Sequence, residues 1–288
     1  MNARLMSVRS LPSLISVFLL VTAAYGQTAL PPGENDALVK RALAAELRAI
    51  QDKRHPLRYR LRKSTPHFTA SKEILETRDG AVARLIAVND KPLSQEDEQK
   101  ERARLDLLLI DPSRQRHRKM AEDDDSGRAN KVLRALPSAF LYQFAGSADS
   151  PAGKVQKFTF RPNPNFDPPD LETQVLTAMT GEIWIDATGE RVARLEGHLQ
   201  RDVDIGWGIL ARLNKGGWIV IEQSDVGERQ WRIVHFQMQM SGRVLFRNKI
   251  FDTVQDQSQF APLPLDLSYQ QAVQMLRTSQ PDAARNTR

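Results

Sequence analysis

EIWIDATGERVARLEGHLQ, Glu182 to Gln200, carries the pattern on which the fold turns. Ile183, Trp184 and Ile185 are strand formers, Ala187-Thr188-Gly189-Glu190 is a turn, and the run after it alternates in character. Ala193, Leu195, Gly197 and Leu199 fall on one side of that run, while Arg194, Glu196 and His198 fall on the other. This is a hairpin with one apolar and one wet face. Towards the C-terminus the same unit repeats as WIVIEQ (Trp218–Gln223), the turn DVGE, WRIVHFQMQM (Trp231–Met240) and RVLFRNKIF (Arg243–Phe251). Ser241-Gly242 is expected to join the last two runs. Such short joins predict antiparallel pairing, and parity puts Val234, Phe236, Met238 and Met240 on one apolar side.

Towards the N-terminus, RPNPNFDPPD (Arg161–Asp170) is too rich in proline for either periodic structure and reads as an extended connector. Before it the chain is mixed. A helix is predicted from Asn35 to about Arg54, where Leu38, Ala42, Ala45 and Ala49 form a stripe flanked by Leu43, Leu47 and Ile50. LRYRLR then alternates Leu57, Tyr59 and Leu61 against Arg58, Arg60 and Arg62, a strand with one wet face. Two more strands are expected at Thr69–Thr77 and Ala81–Val88, around an Asp79-Gly80 turn. Ser94-Gln95-Glu96-Asp97 opens a charged helix running to about Leu105. Pro112 to Arg128 carries RQRHRK followed by EDDDSG, opposite charges in series, and reads as a solvated loop. A helix over Ala129–Leu136, ended by Pro137, and strands at Phe140–Phe144 and Lys154–Phe160 complete this half.

Arg4 and Arg9 precede an apolar stretch from Leu11 to Ala24 and the small-residue site Ala24-Tyr25-Gly26, the layout of a cleavable secretory leader. The apolar run is about 14 residues, against about 20 for a membrane-spanning helix, although an uncleaved anchor is the alternative. The chain has no cysteine, which excludes disulfides, thiolate chemistry and a lipidated N-terminal cysteine together. Its formal net charge is +6, too mild to argue for nucleic acid.

Two of the four tryptophans and four of the fifteen glycines lie in GWGILARLNKGGW, Gly206 to Trp218. Glycines at Gly197, Gly206, Gly208, Gly216 and Gly217 let a sheet bend, and Trp207 and Trp218 between them either fill an ordinary hairpin core or cover a concave interior. An exported chain with a first amphipathic helix and then a long antiparallel meander with helices inserted midway resembles the bacterial lipoprotein-carrier superfamily typified by LolA and LolB. FRPNPNFDPP, GEIWID and DVDIGWGILARLNKGGW also resemble segments of exported bacterial proteins. The carrier resemblance is one of layout, over about Asn35 to Gln259. It implies an α+β, mainly antiparallel fold: a curved, unclosed half-barrel sheet with helices lidding its concave face. The expected organisation is a leader (1–26), a linker (27–34), the half-barrel domain (35–260) and a C-terminal segment (261–288) with a short helix and a disordered tail.

What the resemblance implies for function is a periplasmic, non-enzymatic binding protein. Its partner would be a lipophilic ligand or a lipoprotein acyl chain, with no cofactor, no nucleic acid and at most peripheral membrane contact. The expected ligand cavity is bordered by Trp207, Trp218, Phe236, Met238 and Met240, because methionines at alternate strand positions form a polarizable, adaptable wall. The alternatives are a structural or partner-binding envelope protein with a packed core, and a hydrolase of envelope polymers whose site has no local motif. His55, His67, His117, His198 and His235 never fall at metal-ligand spacing, and no H-E-x-x-H, G-x-S-x-G or dinucleotide fingerprint occurs. Glu122 to Gly127 has a glycine at the sixth position of a calcium loop, but Leu133 stands at the twelfth, where a bidentate Glu is needed. Asp202 and Asp204 share a strand face and are read as polar strand ends or as an acid–base pair. RQRHRK has the charge to meet anionic headgroups, although EDDD beside it cancels its field beyond about 10 Å.

N-terminal sequencing of the exported protein is expected to begin at or near Gln27; a product retaining Leu11 to Ala24 would be an anchored protein instead.

Overall fold

The computed structural model describes residues 32–188, 190–205, 211–244 and 247–278, with side chains from residue 36 onward. The expected leader, most of the linker, Gly206, Trp207 and Gly208, and the last ten residues lie outside the described residues. Helix α1 (Pro32–Gln51) leads into β1 (Leu57–Thr65), β2 (Phe68–Leu75), β3 (Val82–Val88) and the two-residue β4 (Lys91–Pro92). Helices α2 (Gln95–Ile110) and α3 (Pro112–Ala139) follow, then β5 (Phe140–Ser150), β6 (Gly153–Pro162) and a 3-10 helix (Glu172–Ala178). The meander comprises β7 (Met179–Asp186), β8 (Val192–Leu199), β9 (Val203–Ile205), β10 (Ala211–Leu213), β11 (Trp218–Asp225), β12 (Trp231–Val244) and β13 (Arg247–Pro262), and α4 (Tyr269–Thr278) ends the described chain.

All thirteen strands belong to one sheet in the order β4-β3-β2-β1-β13-β12-β11-β8-β7-β6-β5, with β10 pairing β12 and β9. Every pair is antiparallel, and the sheet is curved and open, an α+β arrangement as expected. Its inner face is set by register. Phe158 opposes Ile183, Ile183 opposes Leu195, Leu195 opposes Ile221 and Ile221 opposes Phe236, so one continuous row crosses β6, β7, β8, β11 and β12. Over β5 to β8 this face is closed by α1, through Leu38, Val39, Ala42 and Leu43, and by the end of α3, through Ala135, Leu136 and Ala139. Glu46 on α1 is buried but satisfied, accepting from Arg191 Nε at 2.8 Å and from the Val192 amide at 3.0 Å.

A second core forms on the outer face at the other end of the sheet. Leu75 and Val82 pack there against Leu105 and Leu108 of α2 and against Leu267, Tyr269, Ala272, Val273 and Leu276 in and before α4. The C-terminal helix is thus fastened to the sheet by a buried apolar stripe. Arg84, 1% exposed, donates to the Leu276 carbonyl at 2.8 Å and pairs with Glu98 at 2.9 Å, tying β3 to both helices. The free edge of β3 is covered by side chains: the Leu85 amide donates to Glu101 at 2.7 Å, and Arg104 donates to the Ala83 carbonyl at 2.5 Å. These two side chains stand in for a neighbouring strand and block edge-to-edge pairing.

Three expectations need correction. The charged block from Pro112 to Arg128 is helix, not loop: α3 runs unbroken to Ala139 and takes Pro137 inside its last turn. Asp111 caps it by accepting from the Ser113 amide, and the opposite charges fall at helical spacing, as in Lys119–Asp123 and Arg128–Asp125. Its ends are held by tertiary contacts, Gln115 donating to the Asp79 carbonyl at 3.0 Å and Ala135, Leu136 and Ala139 in the core. Second, Ser241-Gly242 is not a turn. β12 runs through it, and at Gly242 its antiparallel neighbour β10 lies so close that a Cβ would overlap the Arg212 carbonyl oxygen. Third, the register slips between Trp184 and Ile185, so Val192 opposes Ile185 on the inner face, and Ala193 packs outward with Val155 and Trp231.

Glycine substitutions test both the helix and the turn. At Gly127, in mid-α3, an added Cβ meets nothing within 4 Å, so Gly127→Ala should raise stability by about 0.5–1 kcal/mol in denaturant titration. Gly216 has φ +83°, the left-handed turn expected of Gly216-Gly217, so Gly216→Ala should cost roughly 1 kcal/mol or more despite the open space around it.

Candidate functional site: the uncovered inner face

The inner face is not covered evenly. Beneath α1 and α3, Phe158, Ile183 and Ile185 are each 0% exposed. Along the same rows on β11, β12 and β13, Ile219, Ile221, Phe236 and Met238 are only half-buried, and Phe251 is 39% exposed. Strand parity assembles this surface without any loop. Ile219 opposes Met238, which opposes Thr253; Ile221 opposes Phe236, which opposes Gln255; and Met240 opposes Phe251. The rows continue into β1, where Lys63 opposes Gln255 and Leu61 opposes Gln257. Tyr59 stacks on Phe260 at 5.6 Å between ring centroids and closes this end, and burial holds its hydroxyl well above the usual phenol range.

The structure therefore brings together Phe236, Met238 and Met240 on one face of β12. Met240 and Ile219 pack against the main core, while Phe236 and Met238 lie beyond its edge. Gly217 makes room for Met240, whose Cγ would be 3.2 Å from a Cβ there. Trp218 does not join them. It opposes Gln239 and His198, the parity opposite to the methionines, and its indole donates to Gln239 Oε1 at 3.0 Å on the outer face. The expectation failed because Trp218 follows the Gly216-Gly217 turn by a single residue, and one step of register reverses every side chain. Trp207 lies outside the described residues.

The same parity reveals residues the sequence reading missed: Ile219, Ile221 and Phe251, apolar and alternating, need only the strand pairing to be found. Above this surface passes α3, about 42 Å long. Residues 116–125 are almost all exposed, so the helix bridges the two halves of the molecule with its middle turns in solvent. At the β1–β2 end stand cations. Lys72 opposes Leu61 on the inner face, with Lys63 two residues further along β1. Lys72 is held below the usual ammonium range by desolvation and by the positive charges of Arg118, Arg104 and Lys63, which Glu101 opposes. Arg118 is likewise lowered, by desolvation first and then by Arg104, against the opposing charges of Glu101 and Glu122.

Other candidate chemistry is already engaged. Asp202 accepts from Arg212 at 2.8 Å and from the Lys215 amide at 2.8 Å, which hold its carboxyl below the usual carboxylate range. Asp204 lies 3.7 Å from the same guanidinium, so the two carboxylates brace the β9–β10 hairpin. The supposed calcium loop is helical, with Asp123 bound by Lys119 and Asp125 by Arg128. A polar groove of about 780 Å³ lies on the outer face of β5 to β8, lined by Arg161, Thr180, Glu182, Glu196 and His198 among others. Glu196 there is committed to Arg194 and His198, which together lower its pKa. Among the described residues no group of three or more His, Asp and Glu is placed to hold a metal, and no helix is long and apolar enough to cross a membrane.

Neither a protein-family profile nor a curated protein sequence matches the chain. Among solved structures, it is similar to an outer membrane lipoprotein-sorting protein domain from Vibrio parahaemolyticus, at 10% identity and a TM-score of 0.27, over 81% of this chain and 93% of that one. A likeness at that score is one of layout and carries nothing about ligand or activity.

Proposed function

We propose that this chain is an exported, non-enzymatic binding protein that holds a lipophilic molecule, or the acyl chain of a lipoprotein, in the trough formed by the inner face of β11, β12 and β13. The supporting observation is the contrast along single rows of the sheet. Side chains of the same character are fully buried beneath α1 and only half-buried on β12, where among the described residues no helix is closely packed on them. Leaving apolar area in water forfeits roughly 25 cal/mol for each Å², so such a surface gains by taking an apolar guest. Met238, Met240 and Phe236 suit a guest of variable shape, because thioethers are flexible and polarizable. The leader-like N-terminus and the resemblance in layout to lipoprotein carriers support action in the periplasm. A binding role also fits the engagement of Asp202, Asp204 and Glu196 in ion pairs, since carboxylates committed to arginine are poor proton carriers.

Two substitutions separate a trough wall from a core. Phe158→Ala removes a fully buried ring and should cost about 3–5 kcal/mol. Met238→Ala should cost well under the roughly 2–5 kcal/mol expected of a buried methionine, and should instead reduce ligand retention. The companion measurement is native mass spectrometry with lipid extraction of protein purified without detergent. Recovery of no lipid, together with a core-sized loss in Met238→Ala, would overturn the reading in favour of a packed envelope protein.

A further inference from the structure

The trough is apolar along β11 and β12, but its end on β1 and β2 is cationic. Lys63 lies in the same row as Phe236, with Gln255 between them, so only two strand spacings, about 10 Å, separate the ammonium-bearing residue from the apolar floor. Lys72 is its diagonal neighbour on β2, since Leu61 opposes Lys72 and Lys63 opposes Ala70. The third cation comes from above. Arg118 lies on α3 between Gln115, which donates to the Asp79 carbonyl, and Glu122, which accepts from the Ala81 amide, so the helix is pinned over the β2–β3 turn on both sides of it. Lys63, Lys72 and Arg118 make no hydrogen bond or ion pair with any described residue, and Arg104, beside them, is already shared between Glu101 and the Ala83 carbonyl.

Three cations from two strands and a helix therefore converge, and the two carboxylates that act on them are already engaged, Glu101 by Arg104 and the Leu85 amide and Glu122 by the Ala81 amide. Several arginines elsewhere are matched: Arg62 with Asp90, Arg191 with Glu46, Arg212 with Asp202. Like charges brought together repel, so the arrangement is favoured when an anion enters and each N–H gains a charge-assisted hydrogen bond. The spacing matters as much as the charge. A phosphate or carboxylate between Lys63, Lys72 and Arg118 leaves an attached chain to run across Gln255 onto Phe236 and Met238.

We propose that Lys63, Lys72 and Arg118 form the headgroup end of the trough, and that the ligand is an amphiphile with an acyl chain and an acidic phosphate or carboxylate head. This rests on the trough being the lipophilic site, and the test separates the two. Binding to the purified full chain, stripped of lipid, is measured by calorimetry with four probes: lysophosphatidylglycerol, an uncharged monoacylglycerol of the same chain length, glycerol-3-phosphate, and inorganic phosphate. The acidic amphiphile is expected to bind at least tenfold tighter than the uncharged one, and both soluble phosphates far more weakly than either. Lys72→Met with Arg118→Met keeps the apolar stems and should abolish that tenfold preference while leaving monoacylglycerol binding unchanged. Met238→Asp should weaken both amphiphiles.

Equal affinity for the charged and uncharged amphiphiles, or a double variant that retains the preference, overturns the headgroup site and leaves the trough standing. Failure of both amphiphiles to bind overturns the trough and the headgroup proposal with it. Phosphate alone binding as tightly as the acidic amphiphile would reassign the cluster to a soluble anion. Since methionine keeps the apolar stems of both side chains and neither makes a hydrogen bond, the double variant should fold, and an unchanged melting temperature confirms that its binding data can be read.

Discussion

The pairing of β1 with β13 holds the molecule together as one sheet. Leu57 opposes Pro262 and Ser64 opposes Val254, so residues 190 to 205 positions apart are joined. Without it the chain would present two separate sheets, β4 to β1 and β13 to β5. Closing so long a loop costs entropy that grows only slowly with length, but the pairing has no local signal and must await the strands on both sides. A register irregularity at Arg58/Arg60 lets Tyr59 reach Phe260, so the junction has an aromatic clamp. It also places the cations of β1 and β2 beside the apolar floor of β12.

Given that junction, two cores on opposite faces divide the work. The inner one lies at the β5–β8 end under α1 and α3, the outer one at the β2–β3 end under α2 and α4. Each carries a buried charge with its partners: Glu46 with Arg191 in the first, Arg84 with Glu98 and the Leu276 carbonyl in the second. Such pairs add little net stability against their desolvation, yet losing one partner strands the other in a poor solvent. Their consequence here is orientation: each fixes how a helix sits on the sheet, since an apolar stripe alone permits sliding.

Because the cores sit at the ends, the middle of the inner face is left half-covered. α3 crosses from one end to the other and stays helical in between through its own i, i+3 and i, i+4 ion pairs. Each such pair contributes only a few tenths of a kcal/mol, so the anchors at Gln115 and at Ala135–Leu136 carry most of its stability. The middle of that charged span lies in solvent, and Phe236 and Met238 stay only half-buried. The same floor filled by a leucine-rich helix would be a core.

Much of the architecture was legible in the sequence. The hairpin at Glu182–Gln200, the alternation of LRYRLR, the capping box at Ser94, the positive φ at Gly216 and the shared face of Phe236, Met238 and Met240 all follow from local stereochemistry and a two-residue period. What remained hidden depended on partners distant in the chain. Charge in series made α3 read as loop, because its helix relies on anchors at both ends. Gly242 read as a turn because the close pairing of β10 with β12 is invisible from Ser241-Gly242 alone. Trp218 was assigned to the wrong wall because parity cannot be counted through a turn of unknown geometry. The convergence of Lys63, Lys72 and Arg118 belongs wholly to tertiary structure: three ordinary surface cations in the sequence meet only when two paired strands and a pinned helix bring them to one end of the trough.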